Sequence, residues 1–199
     1  MFPRPLKSVI TLATAAVASV SLATVPAHAG SDDGAFDPKV PVELAMAYAA
    51  TAKYSYEPAA VADGYVPNRC SPDPMGHGSM GYHYFKESLY GSVDPTKPAA
   101  LLYEDAEGGG RRLVGVEWIV PDADQNLKTA GDRPSMFGGH KFDGPMLGHN
   151  ATMPIHYDLH VWLYKHNPSG LFERWNPTVK CPASSGHSAH SAMSGHSAH

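Results

Sequence analysis

The clearest potential metal ligands lie in a tail at the end of the chain, residues 183–199. Histidine or methionine occupies every third position there: His187, His190, Met193, His196 and His199. Neutral imidazole binds copper, zinc and nickel, and a thioether particularly suits Cu(I). The spacing predicts metal capture, and the Ser, Ala and Gly spacers predict a disordered segment. A solvated spacer of repetitive composition is the alternative interpretation.

A second pattern places a methionine shortly before a histidine. The pairs are Met80 and His83, Met146 and His149, Met153 and His156, Met193 and His196 and, with one more residue between, Met136 and His140. Thioether and imidazole together are typical copper ligands, so this pattern ranks copper ahead of zinc as the bound ion. The alternative is that methionine fills gaps in a core rich in loops.

One alternating segment of the body carries His156, Asp158 and His160 on the same face. Residues i and i+2 of a strand lie about 6.8 Å apart, and residues i and i+4 about 13.6 Å apart. Because metal–nitrogen bonds are about 2.0–2.1 Å long, both histidines reach one ion only if the strand is bulged or the segment is helical. We therefore expect further ligands from elsewhere, and His83 and Glu117, each in a predicted strand, are the candidates.

Each of these residues alone has a structural explanation. A histidine in a strand is more often a hydrogen-bonded core residue than a ligand. An acid such as Glu117 in an apolar strand is more often exposed to solvent or paired with arginine. As a group, His83, His156 and His160 indicate a shared polar cavity or a metal site.

Helices are expected in the first third of the body. The Ala-rich residues 42–53 predict one helix, and residues 57–64, which contain an early proline and end at a glycine, predict a shorter one. Strands are predicted afterwards from aromatic and alternating patterns, at residues 80–86, 99–104, 111–120 and 155–164.

Residues 121–154, rich in Gly, Pro, Asp, Met and His, predict a long loop, which is functional unless it is simply disordered. The fold class expected from these elements is α+β, with N-terminal helices packed on a small antiparallel sheet or partly closed barrel.

The chain contains two cysteines, Cys70 and Cys181. In an oxidising compartment an even pair is most simply a disulfide. The alternative is that both are thiolate ligands of a metal ion.

The first residues predict a secretory signal peptide. Arg4 and Lys7 precede an uncharged apolar run, which ends in the small-x-small pattern Ala27-His28-Ala29. The run is too short for a good membrane span, so no membrane insertion is expected. The predicted organisation is a signal peptide over residues 1–29, a single secreted globular domain over residues 30–182, and the tail.

The formal net charge is −4 at pH 7, without a basic stripe. This charge balance makes nucleic acid and anionic membranes poor candidates for partners. The chain also lacks the Gly-x-Ser-x-Gly nucleophile motif, a phosphate-binding loop and His-Glu-x-x-His.

Five strings in the body resemble a family of secreted bacterial single-domain proteins to which no activity is assigned. They are residues 78–84 (Gly-Ser-Met-Gly-Tyr-His-Tyr), 113–118 (Leu-Val-Gly-Val-Glu-Trp), 142–145 (Phe-Asp-Gly-Pro), 156–162 (His-Tyr-Asp-Leu-His-Val-Trp) and 176–181 (Asn-Pro-Thr-Val-Lys-Cys). The resemblance spans most of the body but not the tail. It implies a shared single-domain fold and a bacterial source, and it implies no activity and no functional residue.

Three functions remain open from the sequence. The first is a secreted protein for capture, buffering or delivery of a metal ion, with copper ranked before zinc. The next is a metalloenzyme with an open-sided His/carboxylate site, in which Glu117 is a ligand or general base. The last is an extracellular module whose aromatic face holds an organic ligand; its rings would be Tyr82, Tyr84, Trp118, Trp162 and Tyr164.

Overall fold

The computed structural model describes residues 39–148 and 152–182. The predicted signal peptide and tail, and His149 in the body, lie outside these residues. Two helices occur where the sequence predicts them, α1 at Lys39–Thr51 and α2 at Glu57–Ala62, joined by a 3-10 turn at Ala52–Ser55. No described helix has the length and apolar character needed to cross a membrane.

The remainder of the described chain is built around an antiparallel sheet that curls into a half-barrel. The described strands are β1 (Val66–Pro72), β2 (Ser79–Phe85), β3 (Ala100–Asp105), β4 (Arg111–Pro121), β5 (Ser135–Met136), β6 (His140–Lys141), β7 (Asp143–Met146) and β8 (His156–Val161). Six of them form the sheet in the order β1-β2-β3-β4-β8-β7, and β5 pairs with β6 separately. Helices and an antiparallel sheet together confirm the α+β class.

One face of the sheet, the helix face, packs against the two helices. Tyr84, Trp118 and Leu159 of this face share a core with Ala47 of α1 and Ala60 of α2. Strand alternation sends the neighbouring side chains to the opposite face, which we name the polar face because it carries His83, Glu117, Asp158 and His160. Because apolar side chains are buried on the helix face, strand alternation determines which side chains meet on the polar face.

The C-terminal segment, residues 167–182, returns to the start of β2 and to β1. Asn176 is buried and bridges Ser79 through both backbone groups, while its side-chain NH2 donates to the carbonyl of His166. Gly78 makes this contact possible, because a Cβ there would lie 2.2 Å from the Asn176 carbonyl oxygen. The segment ends at Cys181, which forms the predicted disulfide with Cys70 of β1.

Two sequence expectations need correction. Residues 121–154 are not one loop, because β5, β6 and β7 lie within them and β7 pairs with β8 as the sheet edge. These strands have two to four residues, too few to show a hydrophobic period. β1 was also missed, because its mostly exposed residues include Pro67 and Pro72, which favour a loop assignment.

Candidate metal centre

The register of the sheet brings three titratable side chains from three strands to one place on the polar face. Glu117 of β4 lies directly opposite His160 of β8. On its other side Glu117 lies opposite Ala100 of β3, and Ala100 lies opposite Phe85 of β2, two residues after His83. His83 itself lies opposite Leu102 of β3, so His83 and Glu117 approach each other diagonally across β3, where the side chain of Ala100 is small.

The three side chains converge with spacings suited to a single ion. His83 Nε2 lies 3.4 Å from Glu117 Oε2, and His160 Nε2 lies 3.7 Å from Glu117 Oε1. One ligand atom from each residue falls within 4.8 Å of the others. Two ligands at about 2.1 Å from a tetrahedral ion are about 3.4 Å apart, so the observed spacings need little adjustment. The two imidazole rings are nearly perpendicular, at 89°.

Known families supply no precedent for this site. No protein family, curated protein or solved structure matches the chain. The chemistry of the centre therefore follows from its own residues.

Burial determines the electrostatics of Glu117. The side chain has no solvent exposure, and neither carboxylate oxygen has a hydrogen-bond partner within residues 39–148 and 152–182. Burial, followed by the charge of Asp158, raises the pKa of Glu117 well above its ordinary value, and Arg174 opposes this shift. A carboxylate in such a place costs free energy unless a cation compensates it. A bound metal ion would supply that compensation.

Asp158 lies beside the three-residue group. Its Oδ1 is 3.9 Å from His160 Nδ1 and 3.6 Å from Nη2 of Arg174, which also lies 3.3 Å from Asp143 Oδ2. Burial, opposed by the charge of Arg174 and aided by that of Asp143, raises the pKa of Asp158 to about 7. Asp158 is thus adjacent to the candidate ion site but outside the set of converging ligand atoms.

His156 does not join the group. It lies opposite Pro121 near the start of β8, and its Nδ1 is 3.1 Å from the carbonyl oxygen of Pro154. Burial lowers the pKa of this imidazole, which favours the neutral form. β8 is regular, so His156 and His160, four residues apart, are too far from each other to bind one ion.

The fold places the members of one methionine–histidine pair, Met136 and His140, in different environments. Met136 packs in the core of the helix face, whereas His140 is exposed and stacks on Phe172. His149, like all five ligands predicted in the tail, lies outside the described residues.

Four of the five aromatic side chains considered for an organic ligand, Tyr82, Tyr84, Trp118 and Tyr164, belong to the helix-face core or pack against it. Tyr84 and Trp118 are buried in the core of the helix face, while Trp162 packs with Leu102 in a separate cluster. Tyr164 stacks on Tyr48 of α1. Within the described residues, most of these rings fill the interior instead of lining a shared cleft.

A small cavity adjoins the centre on its β1 side. Its volume is about 60 Å³, and Asn68, Arg69, Ser71, His83 and Phe85 line it. A water molecule needs about 10–15 Å³ by this measure, so the cavity has room for solvent or a small ligand beside His83.

Sequence reasoning missed Arg174, Ala100 and this cavity. Arg174 lies in a turn-rich segment without periodicity, and only tertiary folding brings it to Asp158. The size of Ala100 gains meaning only from the register, which places it between Phe85 and Glu117 and beside the diagonal from His83 to Glu117. The one available signal was the placement of Glu117 in an apolar strand.

Proposed function

We propose that this protein is a secreted metal-binding protein that holds one divalent transition-metal ion between His83, Glu117 and His160. The observation that carries this proposal is the convergence of one ligand atom from each residue within 4.8 Å at a buried position. Two imidazoles and a carboxylate are a known zinc ligand set. Nitrogen and oxygen donors also suit Cu(II), whereas Cu(I) prefers sulfur. Zn(II) is therefore the first ion to test and Cu(II) the second.

The disulfide supports a location outside the cytoplasm. Disulfides persist mainly in oxidising compartments, and the Cys70–Cys181 bond is consistent with one. Together with the predicted signal peptide, it supports secretion. In this proposal the tail adds weaker sites, because a segment of the predicted disordered kind has to be ordered by each binding event.

The test is metal titration of the full-length product, expressed without an affinity tag and stripped with chelator. We expect Glu117→Gln to lose one tight Zn(II) equivalent in calorimetry, since the amide is nearly isosteric but carries no negative charge. His140→Ala is the matched control, because His140 is exposed and outside the centre.

A second variant distinguishes the tail sites from the body site. In it the four histidines of the tail are replaced by serine and Met193 is replaced by leucine. This variant should keep the tight equivalent and lose the weaker ones. If Glu117→Gln binds Zn(II) with wild-type affinity and stoichiometry, the body site is wrong.

A metalloenzyme is the second candidate function, and the cavity beside His83 favours it. Three protein ligands leave a fourth position of a tetrahedral ion for water or substrate, as in catalytic zinc sites. The test is to load the protein with Co(II) and add a small anion such as azide. A change in the visible spectrum would support an open position, and an unchanged spectrum would favour a closed storage site.

A further inference from the structure

His160 lies between two carboxylates, and its two ring nitrogens face different ones. Nε2 is 3.7 Å from Glu117 Oε1, and Nδ1 is 3.9 Å from Asp158 Oδ1. We propose that Asp158 is a positioning residue that accepts a hydrogen bond from His160 Nδ1–H in the metal-loaded protein and so directs Nε2 to the ion. This inference rests on the proposed function.

Asp158 has the chemistry for this role. It lies on the same face of β8 as His160, two residues earlier, and it is buried. Neither of its side-chain oxygens has a hydrogen-bond partner among the described residues. A charge-assisted N–H···O bond is about 2.7–2.9 Å long, so ion binding has to draw the two groups together by about 1 Å. Ligating histidines commonly donate their second N–H to a carboxylate in this way.

Arg174 places a positive charge beside Asp158. Its Nη2 is 3.6 Å from Asp158 and 3.3 Å from Asp143, so it pairs with an acid from each of two neighbouring strands. The backbone around Arg174 is held by buried Asn167, whose side-chain NH2 donates to the carbonyls of Glu173 and Trp175. The C-terminal segment thereby presents a fixed cation to a buried acid.

The first experiment compares Zn(II) affinity in the full-length wild type, Asp158→Asn and Asp143→Asn by competition with a chelating dye. We expect Asp158→Asn to weaken binding by about 10- to 100-fold. Asp143→Asn should weaken the affinity much less, because Asp143 also pairs with Arg174 but its side chain is 55% exposed and lies on the edge strand β7. The apo form of Asp158→Asn should unfold in urea no earlier than the wild type, since the substitution removes a buried charge.

The second experiment needs no variant, so it remains informative if Asp158→Asn fails to fold. In the Zn(II)-loaded wild type, ¹⁵N NMR of the imidazoles should show His160 bound through Nε2, with a downfield proton on Nδ1. A proton on Nε2 would overturn the inference.

The two proposals fail differently. If the wild type binds no ion at the body site, both are wrong. If the wild type binds Zn(II) and Asp158→Asn binds it equally well, the assignment of Asp158 is wrong and the metal centre remains.

Discussion

Glu117 is costly to the protein without an ion. It is fully buried in the interior of β4, between the apolar residues Val116 and Trp118. Burial raises the pKa of the carboxyl well above its ordinary value, so the metal-free fold disfavours the charged form. The residue therefore opposes stability in the absence of a cation and becomes a ligand in its presence.

This reasoning predicts the effect of Glu117→Met, which replaces the carboxyl by an unbranched apolar group. In chelator at pH 7, we expect the free energy of unfolding to rise by about 1–3 kcal/mol, because a buried polar group without a hydrogen bond is removed. Urea denaturation of the wild type and the variant measures the difference. A large loss of stability would mean that the Glu117 carboxyl is already satisfied in the metal-free fold.

At the scale of the element, β2 depends on a glycine. Gly81 has φ +84, and a Cβ on it would lie 2.3 Å from the backbone oxygen of Tyr103 on β3. It lies two residues before His83, where the β1–β2 register shifts. The backbone at Gly81 therefore sets the position from which His83 reaches the centre.

We expect Gly81→Ala to destabilise the protein by more than about 2 kcal/mol, because left-handed strain of about 1–2 kcal/mol adds to the backbone clash. Zn(II) affinity should fall with it. Gly108→Ala is the matched control, since Gly108 has φ +87 in the β3–β4 turn and an added Cβ would meet nothing within 4 Å. Urea denaturation measures the loss of stability in both variants. Gly108→Ala reports the backbone strain alone, and the additional loss in Gly81→Ala reports the clash. Equal losses of stability would show that the clash is relieved at no cost.

A second element is the segment between β4 and β8, which is anchored to the sheet by Asp132. The carboxylate accepts hydrogen bonds from Ala123 N and from Tyr157 Oη, both at 2.8 Å. The Ala123 bond first, and then the Tyr157 bond, lower the pKa of Asp132 below its ordinary value. A carboxyl whose folded-state pKa is lowered stabilises the fold above its unfolded pKa, and this contribution is lost as the pH falls through the folded value.

We therefore expect Asp132→Asn to be less stable than the wild type at pH 7, with a difference that shrinks below about pH 4, where an unperturbed Asp titrates. Urea denaturation at pH 7, 4 and 2 follows the convergence. Glu107→Gln in the exposed β3–β4 turn is the control and should show no such trend. A constant difference at all pH values would assign the effect of Asp132→Asn to packing instead of charge.

The sequence predicted those elements whose periodicity is long enough to measure. The helices, the β3–β4 hairpin and β8 all have six or more residues, and each lies within a few residues of its predicted bounds. The very short β5 to β7 and the exposed β1 carry no such pattern. For the site, alternation placed Asp158 and His160 on one face, but the β2-β3-β4-β8 order that unites His83 with Glu117 is a long-range property.

At the scale of the whole molecule, an ion at the body site should stabilise the fold, because it binds the native state alone. At a free concentration of one hundred times the dissociation constant the gain is about 2.7 kcal/mol. For a domain of about 150 residues this corresponds to a rise in melting temperature of about 5–10 °C. Differential scanning calorimetry with and without Zn(II) measures the shift.

The same measurement distinguishes an ion bound in the body from ions bound in the tail. The variant with the tail histidines replaced should keep the full shift, whereas Glu117→Gln should lose it. A shift that disappears with the tail histidines would place the stabilising ion outside the centre.

The complete burial of His83, Glu117 and His160 has a kinetic consequence. The side chains around the ion have to move before it can leave, so its dissociation rate is set by local opening of the fold as well as by bond strength. β1 lines the cavity beside His83, and it is an edge strand whose residues are mostly exposed. We therefore expect long residence times, exchange paced by the fluctuations of β1, and a protein better built to retain its ion than to pass it on quickly.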